Sequence, residues 1–401
     1  MSQDTADQGG LREAINRLAT RLLSHAAHGT TDQCENLDEL PASVYSDPLR
    51  WDREMKAIFH KAPLFLALKA EIPEPGDYKA REIAGVPVLV VRGKDGATRA
   101  FLNVCRHRGT QLADHGCGHQ SRFTCPYHGW TYGLEGQLIG LPANDKFGAE
   151  DLARHGLIQL PCEERAGMVF GVLKPGARLD LEAFYGGLLD DLEAQGLQNW
   201  RLFSKREFDG PNWKLAYDGN LENYHFSVAH RDTLAPLVYA SSLSAYDYTG
   251  PHIRHAAANL SILDLKGVPY EDRWTREGQD FRVTRLLFPN LTISFGFGGV
   301  GQVQEVVPGR TVDENKTVLY QIAERVPESP DEIAQQEKMG DFLFDVLRGE
   351  DIAMTTRAQS GVRSPVGFDM VFGRNEPANQ HFHRWIQRYL DEDGSSSTNA
   401  A

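Results

Sequence analysis

The chain has 401 residues and an acidic balance, with 42 Lys and Arg against 55 Asp and Glu and a formal net charge of −13. Its length predicts two or three domains, and its 41% hydrophobic and 24% charged residues are typical of a soluble globular enzyme. The negative charge argues against nucleic acids and anionic membranes as partners. Since the sequence has neither a run of about 18 apolar residues nor a basic, apolar-cored leader, we expect a cytoplasmic protein without a transmembrane helix.

The N-terminal segment, residues 1–40, is predicted to be helical. Leu11, Ile15, Leu18 and Leu22 recur at the spacing of one helix face. Such an apolar stripe needs a partner surface, so we expect this segment to pack on the catalytic domain that follows later in the chain.

Residues 41–170 predict an all-β domain. A β-branched run at 86–92 is followed by a turn at 94–96 and a second short run at 99–104. Further short strands, separated by turns, continue to the end of this region. The boundary with the next domain is expected within 165–180.

Two short motifs in this β domain carry potential metal ligands. Cys105 and His107 form a C-x-H pair, and Cys125 and His128 form a C-x2-H pair. Two thiolates on one iron and two imidazoles on the other are the ligands of a Rieske [2Fe-2S] cluster, in which the histidines raise the reduction potential. The motifs therefore predict this cluster.

A zinc site with two cysteines and two histidines uses the same ligand types. Zinc fingers usually group like ligands together on a ββα unit, whereas both pairs here are mixed and lie in a β domain, which favours the Rieske interpretation. The other cysteines, Cys34, Cys117 and Cys162, are expected to be ordinary thiols without disulfides. Cys117 is expected to share a polar surface loop with His115 and His119.

Residues 171–390 predict a second domain of the α+β class, in which an antiparallel sheet packs against helices. Helices are expected at 181–195, 213–230 and 331–357, and long antiparallel strands at 281–297 and 303–325. The polar tail, residues 391–401, is predicted to be disordered.

Two histidines amid carboxylates, His225 and His230, are the candidate ligands of a mononuclear non-haem iron. Such a site needs two histidines and one carboxylate on one face, with open positions for dioxygen and substrate. A spacing of five places side chains about 140° apart on a regular helix, so we predict that the helix ends or bulges between them. Asp351 is the best candidate for the third ligand. The weaker alternatives are Glu350, Asp345 and Asp341.

Glu222 is a further candidate because it precedes His225 by three residues and shares its helix face. We expect it to support that ligand or to carry electrons to the iron. Asp218, a second nearby carboxylate, is an alternative for the same role.

These residues resemble the large (alpha) subunits of Rieske non-haem iron ring-hydroxylating oxygenases over about residues 40–390. The resemblance rests on the motifs CRHRG from Cys105, CPYHGW from Cys125, NWK from Asn212, E-x2-H-x4-H from Glu222, FPNL from Phe288, FGRNE from Phe372 and FHRW from Phe382. It implies a Rieske domain joined to a helix-grip (START-like) catalytic domain. It also implies Fe(II) bound by His225, His230 and Asp351, and an acidic residue near Glu222 that couples this iron to the cluster of a neighbouring subunit.

The resemblance further implies a terminal oxygenase that hydroxylates or dihydroxylates an aromatic or other apolar small molecule with O2. Its electrons come from NAD(P)H through a reductase, with or without a ferredoxin, and it assembles as a homotrimer, with or without beta subunits. One alternative is a monooxygenase or demethylase acting on O-methyl, N-methyl or quaternary ammonium substrates. A more distant alternative is a non-catalytic Rieske electron carrier with a ligand-binding module.

Apolar residues around these motifs are candidates for the substrate pocket, although alternating strand residues are also typical of plain core. They are Leu221, Phe226, Val228, Leu286, Phe288, Phe295 and Phe297. If they line the pocket, the substrate is largely apolar. Arg285 and His255 are candidates to anchor a carboxylate. An aromatic cage among Tyr217, Tyr224, Phe226 and Trp274 would favour a quaternary ammonium substrate.

Overall fold

The computed structural model describes residues 4–148, 152–240, 242–297 and 299–398. The chain divides into two compact units, one formed by residues 59–184 and the other by the segments before and after them. No helix within the described residues is both long enough and apolar enough to cross a membrane.

The described residues form α-helices, short 3₁₀ and π helices, and strands. The α-helices are α1 (Asp4–His28), α2 (Pro48–Glu54), α3 (Asn144–Phe147), α4 (Leu181–Tyr185), α5 (Leu188–Ala194), α6 (Trp213–Asp218), α7 (Pro330–Val346), α8 (Ile352–Val362) and α9 (Pro377–Thr398). The 3₁₀ helices are Ala42–Tyr45, Lys69–Glu71, Leu152–His155, Leu197–Asn199, Tyr224–Ser227, Ala235–Leu237, Ile262–Gly267 and Tyr270–Arg276, and the π helices are Met55–Phe59 and Leu347–Asp351.

The strands of the β unit are β2 (Leu64–Leu68), β3 (Asp77–Ile83), β4 (Val86–Arg92), β5 (Thr98–Leu102), β6 (Gly116–His119), β7 (Phe123–Thr124), β8 (Thr131–Tyr132), β9 (Leu138–Gly140), β10 (Gln159–Leu160), β11 (Cys162–Arg165) and β12 (Met168–Gly171). The strands of the other unit are β1 (Asp38–Pro41), β13 (Arg201–Gly210), β14 (Ser244–Thr249), β15 (His252–Ala258), β16 (Phe281–Leu287), β17 (Leu291–Phe297), β18 (Val300–Pro308), β19 (Asn315–Ala323) and β20 (Asp369–Phe372).

The unit of residues 59–184 contains three antiparallel sheets, with strand orders β10-β5-β4-β3-β6, β11-β12-β2 and β7-β8-β9. Alternation along β4 directs Leu89 and Val91 into a core that also holds Trp130. Cys105 and Cys125 belong to the same core. The packing that stabilises this small β domain therefore also fixes the two thiols.

The second unit is built on a seven-stranded antiparallel sheet of order β13-β19-β18-β17-β16-β15-β14, while β1 and β20 form a separate pair. Alternate residues of the sheet, including Ala256, Phe281 and Val283, pack against Ile15 and Leu18 of α1. The apolar stripe of the N-terminal segment is thus buried on the sheet of this unit. The side chain of Leu11 lies outside the described residues.

Helices α6, α7 and α8 also contact strands of this sheet. Helix α7 begins at Pro330, where the Ser329 hydroxyl accepts a hydrogen bond from the Glu332 amide at 3.2 Å. The α+β class predicted from the sequence is confirmed, with an all-β unit beside a unit of antiparallel sheet and helices.

Several elements differ from the sequence-based expectation because turn residues divide them. The two stretches expected as long strands are each a hairpin, β16–β17 and β18–β19. The helix expected over 181–195 is split into α4 and α5 at Gly186 and Gly187, which both have positive φ. The helix expected over 213–230 ends at Asp218.

The tail also differs from the expected disorder, because α9 continues to Thr398. Side-chain hydrogen bonds between residues four positions apart stabilise this part of the helix. Gln387 donates to Asp391 at 2.8 Å, and Arg388 donates to Glu392 at 2.9 Å. Residues 399–401 lie outside the described residues.

The structure groups residues 41–58 with the second unit, whereas we expected them in the β domain. Tyr45 donates a hydrogen bond to Asp218 at 2.6 Å. Lys214 donates to Glu54 at 2.5 Å, with both side chains fully buried. A buried polar or charged group is stable only with a hydrogen-bonding partner. These contacts therefore hold residues 41–58 against α6.

Candidate active site

The two Cys–His motifs of the β unit form matching turns. The carbonyl oxygen of Cys105 accepts a hydrogen bond from the Gly109 amide at 3.0 Å, and that of Cys125 accepts one from the Gly129 amide at 3.0 Å. Both glycines have positive φ, 77° and 73°, which side chains disfavour. The two turns therefore present their ligands in equivalent ways.

The side chains of these motifs fit a metal cluster. Cys105 and Cys125 are each only 2% exposed. The Nδ1 atoms of His107 and His128 are buried without a hydrogen-bond partner, and the two ring centroids are 4.5 Å apart. Because a buried, unpaired ring nitrogen is costly, this arrangement is explained if both nitrogens bind metal.

The spacing of the four side chains distinguishes a two-iron cluster from a single zinc ion. With Zn–S near 2.3 Å and Zn–N near 2.0 Å, all four ligand atoms of a zinc site lie within about 4 Å of one another. Among the described residues, the one set of three or more potential ligands within 4.8 Å is His225, His230 and Asp351. No three of the four Cys and His ligand atoms lie that close together, so the four do not fit a single zinc ion, as expected when they bind two irons.

Hydrogen bonds around Cys125 favour the ionised form of its thiol. Burial raises the pKa of Cys125, but backbone hydrogen bonds from Tyr127 and His128 outweigh it, and the pKa of this thiol is lowered. The Tyr132 hydroxyl lies 3.4 Å from the Cys105 sulfur and accepts a hydrogen bond from the Arg106 amide at 3.0 Å.

In the second unit, His225, His230 and Asp351 converge on one point. The two Nε2 atoms are 3.1 Å apart. Oδ1 of Asp351 lies 3.4 Å from Nε2 of His225 and 3.1 Å from Nε2 of His230. Two imidazoles and one carboxylate aimed at one position are the donor set of a facial non-haem iron site. The three residues fit such an ion.

Irregular helical turns bring these ligands together. His225 lies on the 3₁₀ helix Tyr224–Ser227, which ends before His230, as the five-residue spacing requires. Asp351 ends the π helix Leu347–Asp351 between α7 and α8. Such π turns within helices occur frequently at functional sites.

A second carboxylate supports each histidine through its other ring nitrogen. Glu222 accepts a hydrogen bond from Nδ1 of His225 and another from its backbone amide at 3.1 Å. Glu350 lies 2.5 Å from Nδ1 of His230 and accepts a hydrogen bond from Thr233 at 2.7 Å. These contacts fix the tautomer that leaves both Nε2 atoms free to bind a metal.

The same contacts dominate the electrostatics of the three residues. Burial lowers the pKa of His225, but hydrogen bonds to Asp351 and Glu222 outweigh it and raise the pKa to about 10. Burial raises the pKa of Asp351, but the hydrogen bonds from both imidazoles outweigh this and lower it. A metal ion bound in place of the imidazole protons would supply the positive charge that pairs with the Asp351 carboxylate.

The alternative carboxylates lie elsewhere. Glu350 contacts the outer nitrogen of His230, Asp341 is exposed and pairs with Arg206, and Asp345 is exposed. Asp218 is held by the Tyr45 hydroxyl and, at 2.9 Å, by His383. Of Glu222 and Asp218, Glu222 is therefore the residue in contact with a candidate ligand.

A cavity of about 1060 Å³, including its part open to solvent, adjoins the three ligands. Of the seven apolar residues expected to line it, Phe226 does so. Leu221, Leu286, Phe288 and Phe295 are buried in the core, Val228 is 83% exposed, and the side chain of Phe297 lies outside the described residues.

The residues expected to recognise charged substrates are also dispersed. Arg285 is fully buried and paired with Asp191 and Glu277, so it serves the core rather than the cavity. His255 lines the cavity, and burial lowers its pKa to about 4.

The four aromatic residues considered for a cage do not form one. Phe226 lines the cavity, Tyr217 donates to the Leu291 carbonyl oxygen, Tyr224 is 58% exposed, and Trp274 packs under Arg12 of α1.

Three features escaped the sequence analysis. The support of His230 by Glu350 is a consequence of the π turn, and the contact of Tyr132 with Cys105 is a consequence of sheet packing. The polar wall of the cavity is marked in the sequence by the alternating polar residues Thr292 and Ser294. The pocket candidates predicted from the sequence were apolar and did not include them.

Comparisons with known proteins agree with this architecture. Residues 62–161 match the Rieske [2Fe-2S] domain family, and residues 197–392 match the family described as ring hydroxylating alpha subunit (catalytic domain). This chain belongs to the Rieske oxygenase large subunits. The resemblance inferred from its motifs is confirmed, and the family carries both a Rieske [2Fe-2S] cluster and a mononuclear iron.

The names of individual relatives indicate different substrates. A glycine betaine monooxygenase oxygenase subunit from Pseudomonas aeruginosa is 31% identical over 69% of this chain and 65% of its own length. An anthranilate 1,2-dioxygenase large subunit from Burkholderia cepacia is 34% identical over 48% of this chain and 47% of its own length. The alignments thus span only half to two thirds of these relatives.

Solved structures share the fold. The quaternary ammonium Rieske monooxygenase CntA in complex with L-carnitine superposes with a TM-score of 0.73 at 22% identity, over 90% of this chain and 96% of that chain.

Proposed function

We propose that this protein is the terminal oxygenase component of a Rieske oxygenase system, using O2 and NAD(P)H-derived electrons to hydroxylate a small organic substrate. The observation that carries the proposal is the meeting of His225, His230 and Asp351 at a cavity, in a chain that also has a buried Cys–His double pair. Each site supplies what the other lacks, since a Rieske cluster stores one electron and mononuclear iron activates dioxygen.

In this proposal Cys105, His107, Cys125 and His128 hold the [2Fe-2S] cluster, and His225, His230 and Asp351 hold Fe(II). The chain's own contribution is positioning. Glu222 and Glu350 hold the two imidazoles with Nε2 toward the metal position, and the surrounding cavity confines the substrate beside it.

Glu222 is proposed to be the entry point for electrons as well. It contacts His225 and its side chain is 11% exposed, so it joins the metal position to the protein surface. The electrons are proposed to come from a cytoplasmic NAD(P)H-dependent reductase, with or without a ferredoxin. A homotrimer, with or without beta subunits, would place the cluster of a neighbouring subunit at this surface.

Two substrate classes are compatible with this proposed function. Dihydroxylation of an aromatic compound is the first, and monooxygenation of a quaternary ammonium or methylated compound is the second. The second is favoured by the named glycine betaine and carnitine monooxygenases among the relatives. Product analysis after turnover with ¹⁸O2 distinguishes them, because dihydroxylation incorporates two labelled atoms and monooxygenation one.

Metal analysis and O2 uptake test the proposal together. We expect about three irons and two acid-labile sulfides per chain, and O2 consumption that depends on both substrate and reductase. Zinc in place of iron would overturn the proposal, because zinc carries no electrons. A fully loaded protein that consumes no O2 with any compound in a broad panel would support an electron carrier instead.

The electron route is tested by Glu222→Gln. Reoxidation of the reduced cluster in a single turnover is expected to slow by at least 10-fold, while the iron content stays near that of the wild type. Asp218→Asn is the matched control, since Asp218 is held by Tyr45 and His383. An unchanged reoxidation rate in Glu222→Gln would remove the bridging role.

A further inference from the structure

The sheet wall of the cavity is polar, and strand alternation explains how. Along β16, Phe281 and Val283 pack into the core against α1, so Arg282 and Thr284 point to the opposite face and line the cavity. The neighbouring strands continue this face with uncharged polar side chains. These are Thr292 and Ser294 of β17 and Gln302 and Gln304 of β18.

The register joins these residues into one patch. Ser294 pairs with both Thr284 and Gln302, and Thr292 pairs with Gln304. Residues opposite each other on one face lie about 5 Å apart. The patch therefore offers several hydrogen-bonding groups within the span of one small molecule.

Four atoms of this patch are buried and lack hydrogen-bond partners: Oγ1 of Thr292, Oγ of Ser294, Oε1 of Gln302 and Nε2 of Gln304. Ser294 is 6% exposed and Gln304 is 1% exposed. An unsatisfied polar atom is costly in a protein interior, so four of them on neighbouring residues that line a cavity indicate a ligand with matching polar groups.

Arg282 adds a positive charge to this wall. It is the one Lys or Arg among the described residues that line the cavity. The residue opposite it in the sheet is Ala257, which also lines the cavity. Burial lowers the pKa of Arg282, and a charge in such surroundings favours a ligand of opposite charge.

We infer that the substrate is a small polar carboxylate, with its carboxylate bound by Arg282 and its other polar groups by the Ser294–Gln302–Gln304 patch. The planar guanidinium matches the two carboxylate oxygens. This inference rests on the proposed function and narrows its substrate class.

The cavity wall also argues against an unsubstituted arene. Phe226 is the one Phe, Tyr or Trp among the described residues lining the cavity. A hydrocarbon would leave the buried polar patch unsatisfied, whereas a ligand with polar groups can pair with it.

The test measures binding to the holoenzyme by calorimetry, without turnover. The probes are matched pairs that differ at the carboxylate: benzoate and benzamide, glycine betaine and choline, and carnitine and its amide. We expect at least one carboxylate to bind at least 10-fold more tightly than its counterpart. Arg282→Gln should remove this preference by weakening the carboxylate roughly 10- to 100-fold, whereas Arg282→Lys should retain part of it.

Arg357→Gln is the matched control, because it removes the same charge from an exposed position on α8. Gln304→Met keeps the side-chain volume and should weaken the same carboxylate by less, about 3- to 10-fold, which keeps the test open if Arg282→Gln does not fold. The inference is overturned if counterparts bind as well as carboxylates, if no carboxylate binds at millimolar concentration, or if Arg282→Gln retains the preference. These results leave O2 uptake with other substrates intact, so they are distinguishable from failure of the proposed function.

Discussion

The two candidate metal sites hold their histidines in opposite ways. In the β unit, the outer surroundings of His107 are aromatic, with Trp130 stacked on its ring at a centroid distance of 5.2 Å, and its Nδ1 has no partner. In the catalytic unit, both imidazoles donate Nδ1 to carboxylates and aim Nε2 at the shared point. In the proposed sites, metal therefore binds through Nδ1 in the first and through Nε2 in the second.

This difference separates the tasks that the two sites perform. Neutral aromatic surroundings leave the charge of a cluster to be balanced by backbone amides and hydroxyl groups, which suits reversible electron storage. Carboxylates behind each imidazole strengthen it as a donor and fix its orientation. That suits a metal ion with few protein ligands, which must stay bound while the ligands at its other coordination positions exchange.

The independence of the two sites gives the largest expected effect. His225→Ala should abolish substrate hydroxylation while the visible absorption and electron paramagnetic resonance signal of the Rieske cluster stay unchanged. Cys125→Ser should do the reverse, removing the cluster signal while the mononuclear iron stays bound. Loss of both signals in either variant, or hydroxylation by His225→Ala, would contradict the separation.

The Rieske site could be predicted from the sequence because its four ligands lie within 24 consecutive positions, from Cys105 to His128. The pair His225 and His230 is equally local. The third ligand, Asp351, lies 121 residues after His230, and no local pattern distinguishes it from its neighbour Glu350. Only the π turn decides which of the two carboxylates faces the metal position.

The substrate pocket was not predictable from hydrophobicity because both faces of the sheet are buried. Leu286 and Phe295 looked like pocket residues, yet the structure places them in the core. The face that lines the cavity is the polar one, with Ser294 and Gln304. A buried polar position in a strand was therefore the better guide to the site.

A second comparison lies within the catalytic cavity, where His255 and His225 have opposite pKa shifts. Burial lowers the pKa of His255 to about 4, from an ordinary value near 6.5. The unfolded chain therefore binds a proton between these pH values while the folded protein does not, so the free energy of unfolding falls as pH decreases from about 6.5 to 4. His255 should contribute roughly 3 kcal/mol to this loss.

The measurement is urea unfolding of wild type and His255→Gln at pH 7 and pH 4.5. Glutamine preserves a hydrogen-bonding group for Ser244, which lies 2.9 Å from Nε2 of the histidine. The variant should lose less stability on acidification than the wild type. Equal losses would show that His255 is not held neutral by burial.

Removing a carboxylate from behind one imidazole sharpens the main comparison. Glu350→Gln weakens the hydrogen bond to His230, so the mononuclear iron should dissociate into a chelator about 10- to 100-fold more readily. The Rieske iron should be unaffected, because its histidines have no such partner. Asp345→Asn, at an exposed position of α7, is the control. Equal iron loss from both variants would contradict the role of Glu350.

The smallest expected effect concerns the hydroxyl group at the cluster site. Tyr132→Phe removes an oxygen that lies 3.4 Å from the Cys105 sulfur. A hydrogen bond to sulfur stabilises the reduced, more negative cluster, so its loss should lower the reduction potential. A bond of about 1 kcal/mol corresponds to roughly 40 mV for one electron.

A redox titration followed by circular dichroism measures this shift. Tyr127→Phe is the control, because that ring is 59% exposed and packs on His128 without a hydroxyl contact to either thiol among the described bonds. A potential that rises in Tyr132→Phe, or falls equally in both variants, would show that the hydroxyl does not tune the cluster. A selective fall would instead show that a neutral hydrogen-bond donor tunes the Rieske site, whereas carboxylates that accept hydrogen bonds support the mononuclear one.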